Sequence, residues 1–260
     1  MAFQHALLCL VLGLATGTMA QAAEMDDLYS AQTIVTGASE ITRIPGLREC
    51  LKSVLVRVSG DQRLLGHPQV EEVLTRAGSL VRTFSYQDRL AGVPIHDEQG
   101  TYDRPHNLFC NYDHSVVDRV LNQLASQPWR EPRPVVAVLM EVQRGRERFW
   151  LDRDDPRDQA MRESFALAAS RMAMEVVFPS VEALAPPSPS FDDVATRAGA
   201  DIPLSGTLIW NDAALGWIAT WTLRDRGRTH CWEVQGVSFD EAFRVAMRGA
   251  AQILSGNGDP

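Results

Sequence analysis

Between residues 96 and 114 the sequence collects His96, Asp97, Glu98, His106, Cys110, Asp113 and His114. Their nitrogen, sulfur and oxygen atoms are the ones that ligate metals or carry protons. His106, Cys110 and His114 are spaced four apart, which on a helix would align three zinc ligands on one face. Pro105 and the alternation of Leu108, Cys110 and Tyr112 predict a strand instead, ending at Asp113, which caps the helix that follows. Along a strand His106 and His114 diverge too far to share an ion. The expectation is a polar loop with surface histidines. A second acidic run, residues 152–158 (DRDDPRD), suggests a calcium loop but lacks its glycine and distal glutamate. Asp155 as cap and Pro156 at the first helical position explain it, because carboxylates favour the positive end of a helix.

The six tryptophans all fall between Trp129 and Trp232, and Trp217 and Trp221 share one face of a predicted strand with Ala219 and Leu223. Exposed, such rings would stack on sugars or peptides; at period two they are more simply core residues. Nucleophile elbow, phosphate-cradling glycine loop, dinucleotide signature and paired-histidine zinc helix are all missing. No residue is therefore nominated as catalytic, cofactor-binding or metal-ligating, and no cofactor is implied.

The elements that must position any site follow from hydrophobic periodicity. Residues 28–36 read as a strand. Leu47, Cys50, Leu51, Val54, Leu55 and Val58 form the stripe of an amphipathic helix whose other face carries Arg48, Glu49, Lys52, Ser53 and Arg57, and which ends at Gly60. A second helix starts at Pro68 and runs through Val70, Val73, Leu74, Ala77, Leu80 and Val81. Strands are expected at 83–90 and 107–112, then a helix carrying Val116, Val117, Val120, Leu121 and Leu124. Three prolines in residues 127–134 exclude helix and paired strand. Residues 135–142 (VVAVLMEV) have the near-continuous apolar character of a strand covered on both faces. A helix burying Met161, Phe165, Ala169, Met172 and Val176 follows, then a short strand at 176–179, a proline loop at 186–189 and a short helix at 191–198. Strands at 202–210, 217–224 and 229–237 form an antiparallel meander. Ser238 and Glu241 make a capping box for a last helix that buries Phe239, Phe243, Ala246, Met247, Ala250 and Ile253. The class is α+β, with two small mixed domains, the second a central sheet with a meander packed by amphipathic helices.

Residues 1–23 contain no Asp, Glu, Lys or Arg, and residues 6–15 are an apolar run followed by small residues. This predicts a signal peptide cut after Ala22 or Ala23, too short to span a membrane. The expected organisation is a signal peptide at 1–23, an α+β domain at 24–127, a proline-rich linker at 128–134 and a second α+β domain at 135–260. Cleavage removes Cys9 and leaves Cys50, Cys110 and Cys231, an odd number. Export allows a Cys50–Cys110 bridge, whereas the place of Cys50 on the apolar face of a helix favours buried free thiols. With 33 acidic against 25 basic residues among 260, a net charge of −8 and 45% hydrophobic residues, the chain is an ordinary globular protein whose field repels nucleic acid and anionic lipid.

Leu28-Tyr-Ser-Ala31, residues 54–61 (VLVRVSGD), residues 84–87 (FSYQ), Pro128-Trp129 with residues 133–139 (RPVVAVL), residues 197–201 (RAGAD), Gly206, Gly216-Trp217 and Trp221 occur in that order. In these motifs the chain resembles the exported proteobacterial family catalogued as domain of unknown function twenty sixty-six. It departs from that pattern at Met172-Ala173 and at Ser180-Val181. The resemblance implies a cell-envelope location and supplies no catalytic residues. The order of elements in the second half is also similar to the N-terminal domain of TolB and the periplasmic part of curli-channel proteins, which are envelope binding and assembly modules; this is analogy of fold. The expectation is a periplasmic, non-enzymatic binding or assembly accessory whose partner is an envelope protein, with no nucleic acid and no transmembrane span after cleavage. The rivals are a periplasmic hydrolase acting on envelope material and a glycan-binding module using the tryptophan-rich sheet.

Overall fold

The computed structural model describes residues 28–93, 104–130, 132–184 and 190–260, and divides the strands of this α+β chain between two sheets. The expected signal peptide, the residues His96, Asp97 and Glu98, and the proline loop at 186–189 lie outside the described residues. Among the described residues no helix is long and apolar enough to cross a membrane.

The first half runs β1 (Ser30–Thr36), α1 (Glu40–Ser59), a 3-10 turn (Gln62–Gly66), α2 (Val70–Thr75), α3 (Ala77–Leu80), β2 (Val81–Asp88), β3 (Pro105–Tyr112) and α4 (His114–Gln123). Its three strands are antiparallel in the order β1-β3-β2, so β1 and β2 are edges. Ser39 caps α1 by accepting the Thr42 amide at 3.4 Å, and Gly60 ends it in the left-handed conformation with φ +74°. The predicted stripe is the buried one: Leu47, Cys50, Leu51, Val54, Leu55 and Val58 pack against Ala31, Val35, Leu108, Cys110 and Tyr112 from the inner face of the sheet. Two expectations are corrected here. The single helix predicted from Pro68 to Val81 is broken at Arg76, and Val81 already belongs to β2; pairing with Tyr112 of β3 overrides the helical spacing of that residue. Cys50 and Cys110 are joined as a disulfide, Cα atoms 6.3 Å apart, in place of the buried free thiols that the helical stripe favours; burial on the stripe is what brings the two sulfurs together.

The second half runs β4 (Val135–Arg144), β5 (Glu147–Trp150), a 3-10 turn (Pro156–Asp158), α5 (Gln159–Arg171), β6 (Glu175–Val177), α6 (Phe191–Arg197), β7 (Ile202–Asn211), β8 (Gly216–Asp225), β9 (Arg228–Val237) and α7 (Phe239–Leu254). The sheet order is β5-β4-β7-β8-β9, with β6 also on β4; β4 is parallel to β6 and β7, and β7-β8-β9 is the expected meander. β4 is covered on both faces, as its apolar run predicted. Val136, Val138, Met140 and Val142 enter the main core, while Ala137 and Leu139 pack with Val194 and Ala195 of α6. On the main face Phe165 of α5 stacks on Phe243 of α7 with centroids 4.6 Å apart and meets Trp221 edge-on at 5.7 Å. Gly206 lets this happen, since a Cβ there would lie 2.5 Å from the Thr220 carbonyl oxygen and 2.7 Å from Cζ3 of the Trp221 ring, closer than packed atoms approach.

The two halves are stitched at helix ends. Arg133 donates to the Met172 carbonyl at 2.6 Å and to the Arg57 carbonyl at 2.7 Å, and its guanidinium lies 4.3 Å from the centre of the Trp129 ring. Arg57 donates to the Arg171 carbonyl at 2.8 Å, the Trp129 amide to Val58, and the Asn257 side chain to Ser59. These carbonyls belong to the last turns of α1 and α5, where backbone acceptors lack helical partners and the dipole favours cations. Burial, with Arg57 adding repulsion, pushes Arg133 down to about 10. Val56 of α1 joins the core of the second half.

Candidate functional site

A cleft of about 740 Å³ opens where the halves meet. One wall is β1 with the polar stripe of α1: Glu49, Lys52, Ser53, Val56 and Arg57, spaced as one helical face. The other wall is Leu167, Ala168, Arg171 and Met172 of α5 and Arg244 and Arg248 of α7. Val56, Ala168 and Met172 are buried at its base. The rim is apolar and open: Ile34 is 56% exposed, Leu167 57% and Leu65 44%. Single exposed aliphatics are ordinary; here three stand around one concavity.

In a chain of net charge −8 the cleft is basic. Lys52, Arg57, Arg171, Arg244 and Arg248 line it, against Glu49 among the lining residues. Lys52 pairs with Glu49 at 2.8 Å. Arg244 and Arg248 share Glu241 at 2.6 and 2.7 Å. Burial works against ionisation of Glu241, but the hydrogen bonds from both arginines outweigh it and hold its carboxyl below the usual range. No carboxylate among the described residues pairs with Arg171. Low-dielectric walls concentrate this field, which would raise the local concentration of an anionic ligand.

The β1 edge supplies a third element. Tyr112 donates its amide to the Tyr29 carbonyl at 3.0 Å and Gly37 to the Arg104 carbonyl at 2.7 Å, so the odd-numbered residues of β1 bond to β3. In an antiparallel pair the intervening residues point the other way. The backbone N–H and C=O groups of Gln32 and Ile34 therefore face away from β3, on the side that lines the cleft. The Ser30 carbonyl on the same edge accepts from Arg57 at 2.8 Å.

The side chains singled out in the sequence do not converge. Cys110 is in the disulfide, His106 bonds the Arg104 carbonyl through Nδ1 at 2.7 Å, and His114 opens α4, stacked on Tyr29 at 3.9 Å. Burial, reinforced by Asp118, pushes the Tyr29 phenol up to about 12. Asp113 occupies the cap position of α4, but its carboxylate pairs with Arg82 at 3.3 Å rather than with a helical amide. Among the described residues no three His, Cys, Asp or Glu side chains group as metal ligands. In the acidic run Asp155 caps the 3-10 turn Pro156–Asp158 by accepting the Arg157 amide at 2.9 Å, and α5 begins only at Gln159; Asp158, at its cap position, accepts the upstream Asp152 amide at 3.2 Å and no helical amide. Asp158 is also the carboxyl most open to an acid-base reading. It lines a smaller cavity of about 200 Å³ with Arg144, Glu147 and Arg157, and burial pushes its carboxyl up. Trp217 and Trp221 are buried in the core, which removes them from any surface platform. His230 pairs with Asp259 and ties the C-terminal tail to β9.

The cleft is not legible in the sequence, because β1, α1 and the turn carrying Leu65 build it together with α5 and α7, about a hundred or more residues further on. Two signals are present in the residues. Arg57 stands on the polar face of the first helix, and Leu167 stands off the buried stripe of Phe165, Ala169 and Met172.

Residues 22–130 match a family model described as Domain of unknown function (DUF8605). The match covers the first sheet with its helices and stops short of β4. No curated protein matches the chain, and no solved structure matches it either.

Proposed function

We propose that the protein is an exported periplasmic binding or assembly accessory of the cell envelope, non-enzymatic, and that the basic cleft is where it holds its partner. The observation that carries this reading is the combination in one cleft of an open strand edge, exposed aliphatic side chains and an excess of cations. A surface of that kind suits a polypeptide better than a small reactant, which pockets enclose. Export is supported by the uncharged apolar run at 6–15 and by the Cys50–Cys110 bridge, since structural disulfides persist in oxidising compartments. The resemblance to the exported family of domain of unknown function twenty sixty-six, and of the second half to the N-terminal domain of TolB, points the same way.

The test is in-cell crosslinking of the exported full chain with a photoreactive residue at position 167, and at Leu215, which lies outside the cleft, as the control. Mass spectrometry reads both the partner and the mature N-terminus. The expected result is one reproducible envelope polypeptide from position 167 and not from 215. The reading is overturned if position 167 captures nothing. It is also overturned if the purified mature protein turns over a defined peptidoglycan or glycan substrate and loses that activity on a single substitution, Asp158→Asn being the first to try.

A further inference from the structure

Resting on the cleft as a binding site, we propose that the occupant is an extended, acid-bearing segment of an envelope polypeptide that adds to the β1 edge as a fourth strand. Three observations point to this form of recognition. First, Gln32 and Ile34 present two N–H and two C=O groups in strand geometry toward the cleft, and no described group bonds them. An edge of this kind is a template for a further strand unless it is blunted by proline, inward charge or a bulge. β1 contains none of these between Ser30 and Thr36, and its register with β3 is unbroken.

Second, the edge has a marked end. Arg57 occupies the Ser30 carbonyl, so pairing can run across Gln32 and Ile34 but stops there. A strand seated on these residues would have α1 on one side and α5 and α7 opposite, the walls that carry Lys52, Arg171, Arg244 and Arg248. Third, that charge selects. Carboxylates on the added strand would find Arg171, which has no described anionic partner, and the two arginines that share the single carboxylate of Glu241. A basic segment would meet like charge at every wall. A second copy of this chain, net acidic but presenting the same cationic cleft around its own β1, would bring those arginines together.

The probe is a short synthetic peptide alternating valine and glutamate, titrated into the disulfide-intact protein by NMR. Three comparisons accompany it: the valine–lysine counterpart, the valine–glutamate peptide N-methylated along its backbone, and the variant Ile34→Pro. Methylation keeps side chains and charge but removes the donors that a strand needs. Proline on this edge removes only an outward N–H. The expected result is binding of the glutamate peptide with exchange of the Gln32 and Ile34 amides slowed at least about tenfold, and affinity weakened at least about tenfold in each of the three comparisons. Because the N-methylated peptide is tested on unaltered protein, the result does not depend on Ile34→Pro folding.

If the N-methylated peptide binds as tightly and the two amides are unaffected, while Arg171→Glu abolishes binding, strand addition is overturned and the cleft reading survives. If the Gln32 and Ile34 amides slow with rising protein concentration in the absence of peptide, the occupant is a second copy and the proposal is overturned. If no peptide perturbs the cleft, strand addition is overturned, and the cleft reading survives only where position 167 captures a partner; if crosslinking is also empty, both readings fall.

Discussion

The first half of the molecule covers one face of a three-stranded sheet with α1 and links that helix to the middle strand through Cys50 and Cys110. The second half covers its β4 strand on both faces and fills the main layer with Phe165, Trp221 and Phe243. A small core with one open face buries less apolar surface per residue, which is the circumstance in which a covalent staple contributes most. The comparison also accounts for the cleft. With α1 tied to β3, the β1 edge is left open beside α5 and α7 of the second half. The cleft therefore combines parts of both halves: the β1 edge with Lys52 and Arg57 from one, and Arg171, Arg244 and Arg248 from the other.

The largest expected effect breaks the second half alone. Phe165→Ala removes a fully buried ring stacked on Phe243 and edge-on to Trp221, and should cost about 3–5 kcal/mol. All six tryptophans lie between Trp129 and Trp232, so tryptophan fluorescence in urea reports this half, while hydrogen exchange at the β1–β3 amides reports the other. Should both probes shift equally, the halves unfold as one unit and the contrast drawn above is only one of architecture. The double substitution Cys50→Ala with Cys110→Ala is the converse. A loop of 60 residues is released in the unfolded state, and the loss should be about 2–4 kcal/mol, read at the β1–β3 amides with a smaller change in fluorescence midpoint.

The same contrast decides which features the amino-acid sequence alone discloses. Stripes that repeat over several turns, such as Leu47 to Val58, or alternate along a strand, such as Trp217 to Leu223, are legible because one element buries them against whatever lies beneath. β4 is legible as doubly covered for the same reason. The end of the second helix is not, because Val81 fits the helical spacing and only its pairing with Tyr112 decides against it. The β4–β5 hairpin escapes altogether: Glu147–Trp150 is short and half polar, and its partner strand supplies the order. The disulfide is open to either reading, since pairing depends on the approach of α1 to β3 and not on spacing. The cleft lies furthest from view. Its cations occupy three helices and its edge a fourth element, and no period in the sequence relates them.

Arg133 tests the join between the halves. It reaches the ends of α1 and α5 at once and stacks on Trp129. Arg133→Met should lower stability by about 1.5–3 kcal/mol, the range for hydrogen bonds from a charged donor. Its distinguishing sign is a wider separation of the fluorescence and β1–β3 exchange midpoints than in the parent. Arg133→Lys should recover little, because one ammonium cannot span two carbonyls as a planar guanidinium does. A separation unchanged from the parent in Arg133→Met would move the coupling to Val56 and the Asn257 contact.

The smallest effect separates two carboxyls of the second half by sign. Burial raises Asp158, so the folded state holds its proton at pH values where the unfolded chain has released it. Stability from this group therefore falls as pH rises through the window between the ordinary aspartate value, about 4, and its folded value. Asp158→Asn removes the titration while an amide oxygen can still accept the Asp152 amide. The variant should match or slightly exceed the parent at neutral pH and lose that advantage as the solution is acidified through the window. Glu241 runs the other way. Its carboxyl is held low despite burial, by Arg244 and Arg248, so its contribution is present above the ordinary glutamate value and is lost as pH falls through the folded one. Glu241→Gln should be less stable than the parent at neutral pH, with the gap closing in acid. If Asp158→Asn is instead less stable at neutral pH, the ionised carboxylate is favoured by its hydrogen bond and neighbouring arginines more than burial opposes it. Asp158 would then be an anchor for the Asp152 loop, with no claim on acid-base chemistry.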